Sequence, residues 1–243
     1  LSVKRADDGA ILYNCMHCGL TGAVQPGESD GRRTRTGHGG DPLHHFTRPV
    51  DIPAGSLSEK ALAYLSSRSI SKETAEKYGL FSAVKYFRSK DWSGETEGIG
   101  FPYILTAGEK PEAAKYRAID MKSFTQDGAA RSFFGIHLVS DGSQPLVVTE
   151  GETDSLSLAE AGIPNAVSVP SGAPPGPVGE RSGADDRRFG YLSRNTDILK
   201  MFKKIIVAVD NDSKGKFLLD ELTRRLGRHR CYTVTWPPDC KDA

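Results

Sequence analysis

Leu146, Val147, Val148 and Thr149 make a short, largely apolar run of the kind that forms a strand buried on both faces of a parallel sheet, and it ends at Glu150-Gly151. A helix is predicted to start near Thr153, to carry Leu156, Leu158 and Ala159, and to stop at Gly162. Ala166 to Val169 reads as a second strand. A loop rich in Pro and Gly runs from Pro170 to Gly179, a helix is expected through Leu199 and Phe202, and Ile205 to Val209 gives a third strand ending in Asp210-Asn211-Asp212. Phe217 to Leu226 is again helical, and Cys231 to Val234 is a fourth strand. Strands alternating with helices argue an α/β class with an open sheet and flanking helices, whose ligand site lies at the carboxyl ends of the strands.

Upstream the rhythm differs. Ser58 can cap a helix with Ala61, Leu62 and Leu65 on one face, and Ser71 a second containing Ala75 and Tyr78. Short strands follow, among them Val84 to Phe87, Gly100 to Leu105 and Lys115 to Ile119, which makes this stretch an α+β subdomain. Gln25 to Gly55 has little apolar periodicity and much Gly, Pro, Arg and His, the pattern of a linker. About 30 flexible residues have a root-mean-square span of roughly 30 Å, enough for whatever precedes them to dock on this chain's own core or a neighbour's. Residues 1–25 read as a short β hairpin element. The expected plan is therefore 1–25, 26–55 as a flexible linker, 56–140 as the amino-terminal subdomain, and 141–243 as the open-sheet domain.

Composition narrows the class. With 37% hydrophobic and 26% charged residues, 26 Gly and 14 Pro in 243 residues, collagen, full disorder and coiled coil are excluded. No apolar run approaches the roughly 20 residues of a membrane helix, and the start lacks a signal peptide's apolar stretch, so a cytoplasmic setting is expected. The first residue is Leu, not Met, and sequence upstream of it is expected. Charge is nearly balanced, 32 basic against 31 acidic residues for a net +1. Basic residues nevertheless cluster at Arg32, Arg33 and Arg35, at Lys203 and Lys204, and at Arg224, Arg225, Arg228, His229 and Arg230.

Two features carry chemistry. Cys15 and Cys18 form a Cys-x-x-Cys pair shaped like one knuckle of a zinc ribbon, which needs four ligands; the missing pair is expected upstream. Glu150 closes one strand, Asp154 lies in the first turn after it, and Asp210 and Asp212 close another. Four carboxylates converging on one crevice would repel, and a hard divalent cation such as Mg²⁺ supplies the balancing charge. Asp210 to Glu221 partly fits a calcium-binding EF-hand loop, but Lys214 occupies a ligand position and the preceding segment is β-type. Lys214-Gly215-Lys216 lacks the residues of a P-loop.

At these residues the chain resembles the Toprim proteins, a superfamily shared by primases, topoisomerases and some nucleases: Glu150-Gly151-Glu152-Thr153-Asp154 is followed by Asp210-Asn211-Asp212. The order of knuckle, linker, helical pair, basic β region and Toprim resembles the primase half of the bifunctional primase-helicases of short-tailed bacteriophages. Lys115-Tyr116-Arg117, Met121-Lys122, Ser132-Phe133-Phe134-Gly135, Val169-Pro170-Ser171-Gly172 and Lys241-Asp242-Ala243 stand at the matching places. The resemblance implies a Mg²⁺ (or Mn²⁺) site formed by Glu150, Asp154, Asp210, Asp212 and Asp242. Glu150, Asp210 and Asp212 would be catalytic, with Lys115, Arg117 and Lys122 near nucleotide and template. It further implies Zn²⁺ in the complete parent protein, bound in part by Cys15 and Cys18, and single-stranded DNA and ribonucleoside triphosphates as partners. A replicative helicase domain in the same parent chain and the cytoplasm of an infected bacterial cell complete the implied setting, with no membrane. The implied reaction is DNA-templated synthesis of short RNA primers. A topoisomerase would need a large tyrosine-bearing domain for which there is no room. A nuclease of the same metal chemistry and a non-priming DNA-binding and assembly module, as in the mitochondrial relatives called Twinkle, are the alternatives. The first cysteine pair of the family pattern is absent, and the chain stops just past Asp242.

Overall fold

The computed structural model describes residues 2–5, 11–14 and 21–24 as backbone strands, together with 56–176, 188–237 and 242. The chain falls into two units, Leu1–Thr47 and Arg48–Ala243. The first holds β1 (Ser2–Arg5), β2 (Ile11–Asn14) and β3 (Thr21–Val24) in an antiparallel meander, one strand more than a hairpin. Cys15 and Cys18 belong to the β2–β3 connection, which lies outside the described residues, as does the linker 26–55.

The second unit opens with the helical pair α1 (Glu59–Ser67) and α2 (Lys72–Lys77). Each starts where a serine hydroxyl takes up a free backbone N–H: Ser58 Oγ accepts from Ala61 N at 3.0 Å and Ser71 Oγ from Thr74 N at 3.1 Å. Ala61, Leu65, Ala75 and Tyr78 are buried. An antiparallel sheet follows, β4 (Phe81–Arg88), β5 (Ser93–Tyr103), β6 (Ala113–Ala118) and β7 (Phe124–Gly128), in sequential order. The sheet curls until its outer strands meet. Lys85 of β4 reaches Asp127 of β7 at 2.5 Å, and Tyr116 of β6 donates to the same carboxylate at 3.0 Å. The curl needs room inside, and Gly100 provides it, because a Cβ there would come within 2.4 Å of the Phe81 ring.

The other sheet is parallel throughout, with β8 (Leu146–Thr149), β9 (Ala166–Ser168), β10 (Ile205–Ala208) and β11 (Cys231–Thr233) in the order β11-β10-β8-β9. The helices are α3 (Glu152–Glu160), α4 (Gly190–Arg194), α5 (Thr196–Met201) and α6 (Ser213–Leu226). Leu146, Val148, Val167, Ile205 and Val207 pack with Leu218, Leu222 and Leu226 of α6 and with Phe133, Phe189, Tyr191 and Phe202. The single helix expected through Leu199 and Phe202 is two short ones. The Asn195 amide donates to Tyr191 O at 2.7 Å where α4 stops, and Phe202 lies just past α5 in extended backbone.

Phe134 joins the two sheets. Its backbone bridges Ser168 of β9 with bonds of 3.0 and 3.2 Å, and its ring packs against Tyr78, Phe101 and Tyr103. Leu156 of α3 enters the same cluster. The antiparallel sheet is thereby fixed beside the first turn of α3, which positions β6 next to the acidic crevice.

Candidate active site

Parallel pairing sets the acidic residues together. Thr149 pairs with Ala208, so Glu150 and Asp210 leave the carboxyl ends of adjacent strands. Between β8 and α3 the turn is closed by its own polar groups. The Thr149 hydroxyl lies 3.0 Å from Gly151 O, and Gly151 N donates to Asp154 Oδ2 at 2.9 Å. Asp154 thus caps α3 as well as facing the crevice.

Buried to 9% exposure, Asp154 has its pKa raised from 3.8 to about 6. Desolvation is the main cause; the Gly151 bond works against it, and the charges of Asp210, Asp242 and Glu152 push it further up. The carboxylates of two strand ends and of the chain's terminal segment therefore share one field. The folded value lies above the ordinary one, so the stability given by the protonated form is complete below about 3.8 and is lost as pH rises through about 6. In chelator, the melting temperature of the wild type should fall across that window. Asp154→Asn should flatten the profile, and a thermal melt series against pH checks both.

Asp212 caps α6, its Oδ1 accepting from Lys214 N at 3.0 Å and Gly215 N at 2.9 Å. Gly215 is needed for that turn to close, because a Cβ there would sit 2.0 Å from Asp210 O. Glu150 is held from the other side of the crevice, with Ala173 N donating to its Oε1 at 3.2 Å. The loop that supplies this N–H is clamped by Arg188. Its Nη2 lies within 2.6, 3.1 and 2.8 Å of the carbonyls of Ser171, Gly172 and Ala173. Glu221, the residue that would close a calcium loop, is instead buried in α6 and ion-paired with Arg224 and Arg225 at 2.6 and 2.9 Å.

The three cations expected near nucleotide and template are placed differently from one another. Lys115 on β6 pairs with Glu152 at 2.7 Å across the junction of the two sheets, and the buried Tyr103 hydroxyl donates to the same Glu152 oxygen. Arg117 stacks on Tyr64 of α1 at 4.5 Å and donates to Ala118 O at 3.2 Å. Lys122 is exposed in the β6–β7 turn. Glu152, Tyr103 and Arg188 were not singled out by sequence reasoning. Glu152 stands inside the acidic motif and was within reach, whereas Arg188 acts on backbone carbonyls and leaves no pattern.

Among the described residues, no three His, Cys, Asp or Glu side chains are gathered tightly enough to bind one ion in this arrangement. Asp154 and Asp212 each have one oxygen turned to a backbone N–H. The chemistry of the donor set still suits a hard divalent cation, since every donor is a carboxylate oxygen and burial, with a further push from the charges of Asp210, Asp242 and Glu152, raises the pKa of Asp154. Glu150, Asp154, Asp210, Asp212 and Asp242 are the residues that would hold it.

Comparison with known proteins agrees with the geometry. Residues 147–243 match the Toprim-like family. The chain is 31% identical to the Twinkle homolog protein, chloroplastic/mitochondrial, of Arabidopsis thaliana, over 100% of this chain and 33% of that protein. It is 30% identical to the Primase homolog protein of the same plant, over 97% of this chain and 66% of that one. It thus spans a third of one curated relative's length and just under two thirds of the other's. Among solved structures it is similar to the primase fragment of the bacteriophage T7 primase-helicase protein, with a TM-score of 0.57, 24% identity, and coverage of 97% of this chain and 84% of that one. These curated relatives are plant proteins, so the link to a bacteriophage rests on fold alone. Residues 147–243 are thus similar to the Toprim-like family, and the chain has a fold similar to that of the primase fragment.

Proposed function

We propose that this chain is the primase part of a replication protein and makes short RNA primers on single-stranded DNA. The observation that carries the reading is the placement of Glu150 and Asp210 at the carboxyl ends of adjacent parallel strands, with the charges of Asp210, Asp242 and Glu152 acting on the buried Asp154. Primer synthesis joins a ribonucleoside triphosphate to a 3′ hydroxyl: the oxygen attacks the α-phosphorus, the hydroxyl proton leaves, and pyrophosphate departs. Mg²⁺ or Mn²⁺ bound by the carboxylates supplies Lewis acidity and neutralises charge on the triphosphate.

The chain's own residues do the rest. Glu150, fixed by Ala173 N–H, faces the hydroxyl as its base or as the ligand nearest it. Asp210 and Asp212 project from the turn between β10 and α6. Glu152 holds the Lys115 ammonium at the rim, where it meets phosphate as a fixed charge. Arg117 of β6 and Lys122 of the turn that follows it extend this basic edge, so template binding weakens with salt. A zinc ribbon built in part by Cys15 and Cys18 would read template bases, since phosphate contacts position a strand and base contacts specify it. A helicase domain in the same parent chain is the natural partner, as the T7 relative's name states for that protein.

One observation favours a second reading, a non-priming DNA-binding and assembly module: the relative that matches the whole chain is a Twinkle homolog. The full acidic set and the Glu152–Lys115 pair argue for the enzyme. Ribonucleotide addition to a short RNA annealed on single-stranded DNA, with and without divalent cation, separates the two.

A further inference from the structure

The two basic clusters at 203–204 and 228–230 are 25 residues apart in sequence and contribute nothing to the acidic crevice. The parallel sheet brings them together. Ile205 of β10 pairs with Cys231 of β11, so Lys203 and Lys204, just before one strand, lie beside Arg228, His229 and Arg230, just before the other. Arg230 locks this arrangement by donating to Leu226 O at 2.7 Å, Leu199 O at 2.8 Å and Phe202 O at 3.1 Å. It ties the turn before β11 to the end of α5, directly next to Lys203. Lys203, Lys204, Arg228 and His229 are exposed. Tyr232 is 51% exposed among them, with the Lys204 ammonium 4.6 Å from its ring centre.

Residues 198–204 and 222–237 contain no Asp or Glu. Of the acids that flank these stretches, Asp197 pairs with Lys200 at 3.3 Å and Glu221 with Arg224 and Arg225 at 2.6 and 2.9 Å. β10 thus runs into carboxylates at one end and follows cations at the other. Across the four residues of β10 that separation is roughly 13 Å.

We infer that the amino-terminal end of β10 and β11 is a second nucleic-acid contact, which binds the phosphate backbone of a single strand without regard to sequence. Exposed cations around a half-exposed aromatic ring are the means by which proteins hold single strands: charge tracks the backbone and the ring stacks a base. Lys203, Lys204 and Arg228 meet phosphates, and Tyr232 stacks. Duplex binding would need only the charges, and an acidic protein partner would leave the ring without a role.

The test is binding of fluorescent oligodeoxythymidylate to the whole chain in chelator, where no nucleotide condensation is read, over a salt series. Lys203→Glu/Lys204→Glu/Arg228→Glu should weaken binding at least tenfold. It should also lower the slope of log affinity against log salt by about 2, the loss of three phosphate contacts at about 0.7 each. Tyr232→Ala should weaken binding by about fivefold or more with the slope unchanged. The corresponding triple Gln variant, moving the same way by less, guards against misfolding, and melting curves confirm that each variant is folded. Unchanged affinity and slope in a folded triple variant would overturn the inference. So would wild-type binding to polyglutamate as tight as to the oligonucleotide with Tyr232→Ala silent, which would indicate an acidic protein partner. Either result leaves the primase reading standing, and loss of priming in a Glu150 variant leaves this contact untouched.

Discussion

Glu150→Gln is expected to reduce ribonucleotide addition by about 10²–10⁴-fold and to leave the melting temperature of the protein unchanged. The substitution keeps the volume and one carbonyl oxygen, so the bond from Ala173 N survives. What it removes is a negative charge at the end of β8, next to the strand that ends in Asp210. On the proposed mechanism, loss of that charge would lower cation affinity and leave the attacking hydroxyl without the base proposed for it. Single-turnover extension at saturating Mg²⁺ measures the effect. Activity within a few-fold of wild type would remove Glu150 from the chemistry.

The largest effect on stability is expected at Glu112, far from any charge chemistry. This carboxylate, 7% exposed, accepts from Ser132 Oγ at 2.8 Å and Arg131 N at 3.1 Å, and it pairs with Arg194 of α4 at 2.6 Å. It therefore ties β6 to the segment that carries Phe133 and Phe134 and to the helix over the parallel sheet. Glu112→Ala leaves a buried hydroxyl and a backbone N–H without their acceptor. Arg194, itself about a third exposed, recovers part of its loss from water. A cost of about 2–3 kcal/mol follows. For a unit of this size that is a drop of roughly 4–12 °C in melting temperature. Glu112→Gln, which keeps an acceptor for Ser132, should fall less. Equal melting temperatures for wild type and Glu112→Ala would show the network to be incidental.

The parallel sheet was readable from the chain because its central strands, β8 and β10, are largely buried. Leu146 to Thr149 and Ile205 to Ala208 stand as apolar blocks, and their ends place Glu150 and Asp210 at once. The helical pair was readable through its caps, Ser58 and Ser71. β7 was not singled out, because Thr125, Gln126 and Asp127 carry no apolar run and are held as a strand by pairing with β6 and by the reach of Asp127 to Lys85 and Tyr116. The break at Asn195 was equally hidden, being made by one side-chain amide on a carbonyl. For the site, Glu150, Asp154, Asp210 and Asp212 were visible as acidic residues at strand ends, and Asp242 and Lys115 only through the family resemblance, but the pairing of Lys115 with Glu152 joins residues 37 apart and comes only from the docking of two sheets through Phe134. Arg188 shows the same limit more strongly, since its partners are three backbone carbonyls.

The most direct test of the central claim is extension of a short RNA annealed to single-stranded DNA, because it bypasses start-site choice, the step proposed for a zinc ribbon. The wild-type chain should add ribonucleotides complementary to the template, only with Mg²⁺ or Mn²⁺, and should lose this with Glu150→Gln. No addition under either cation by a folded chain that still binds the template would contradict the claim and favour the non-priming module.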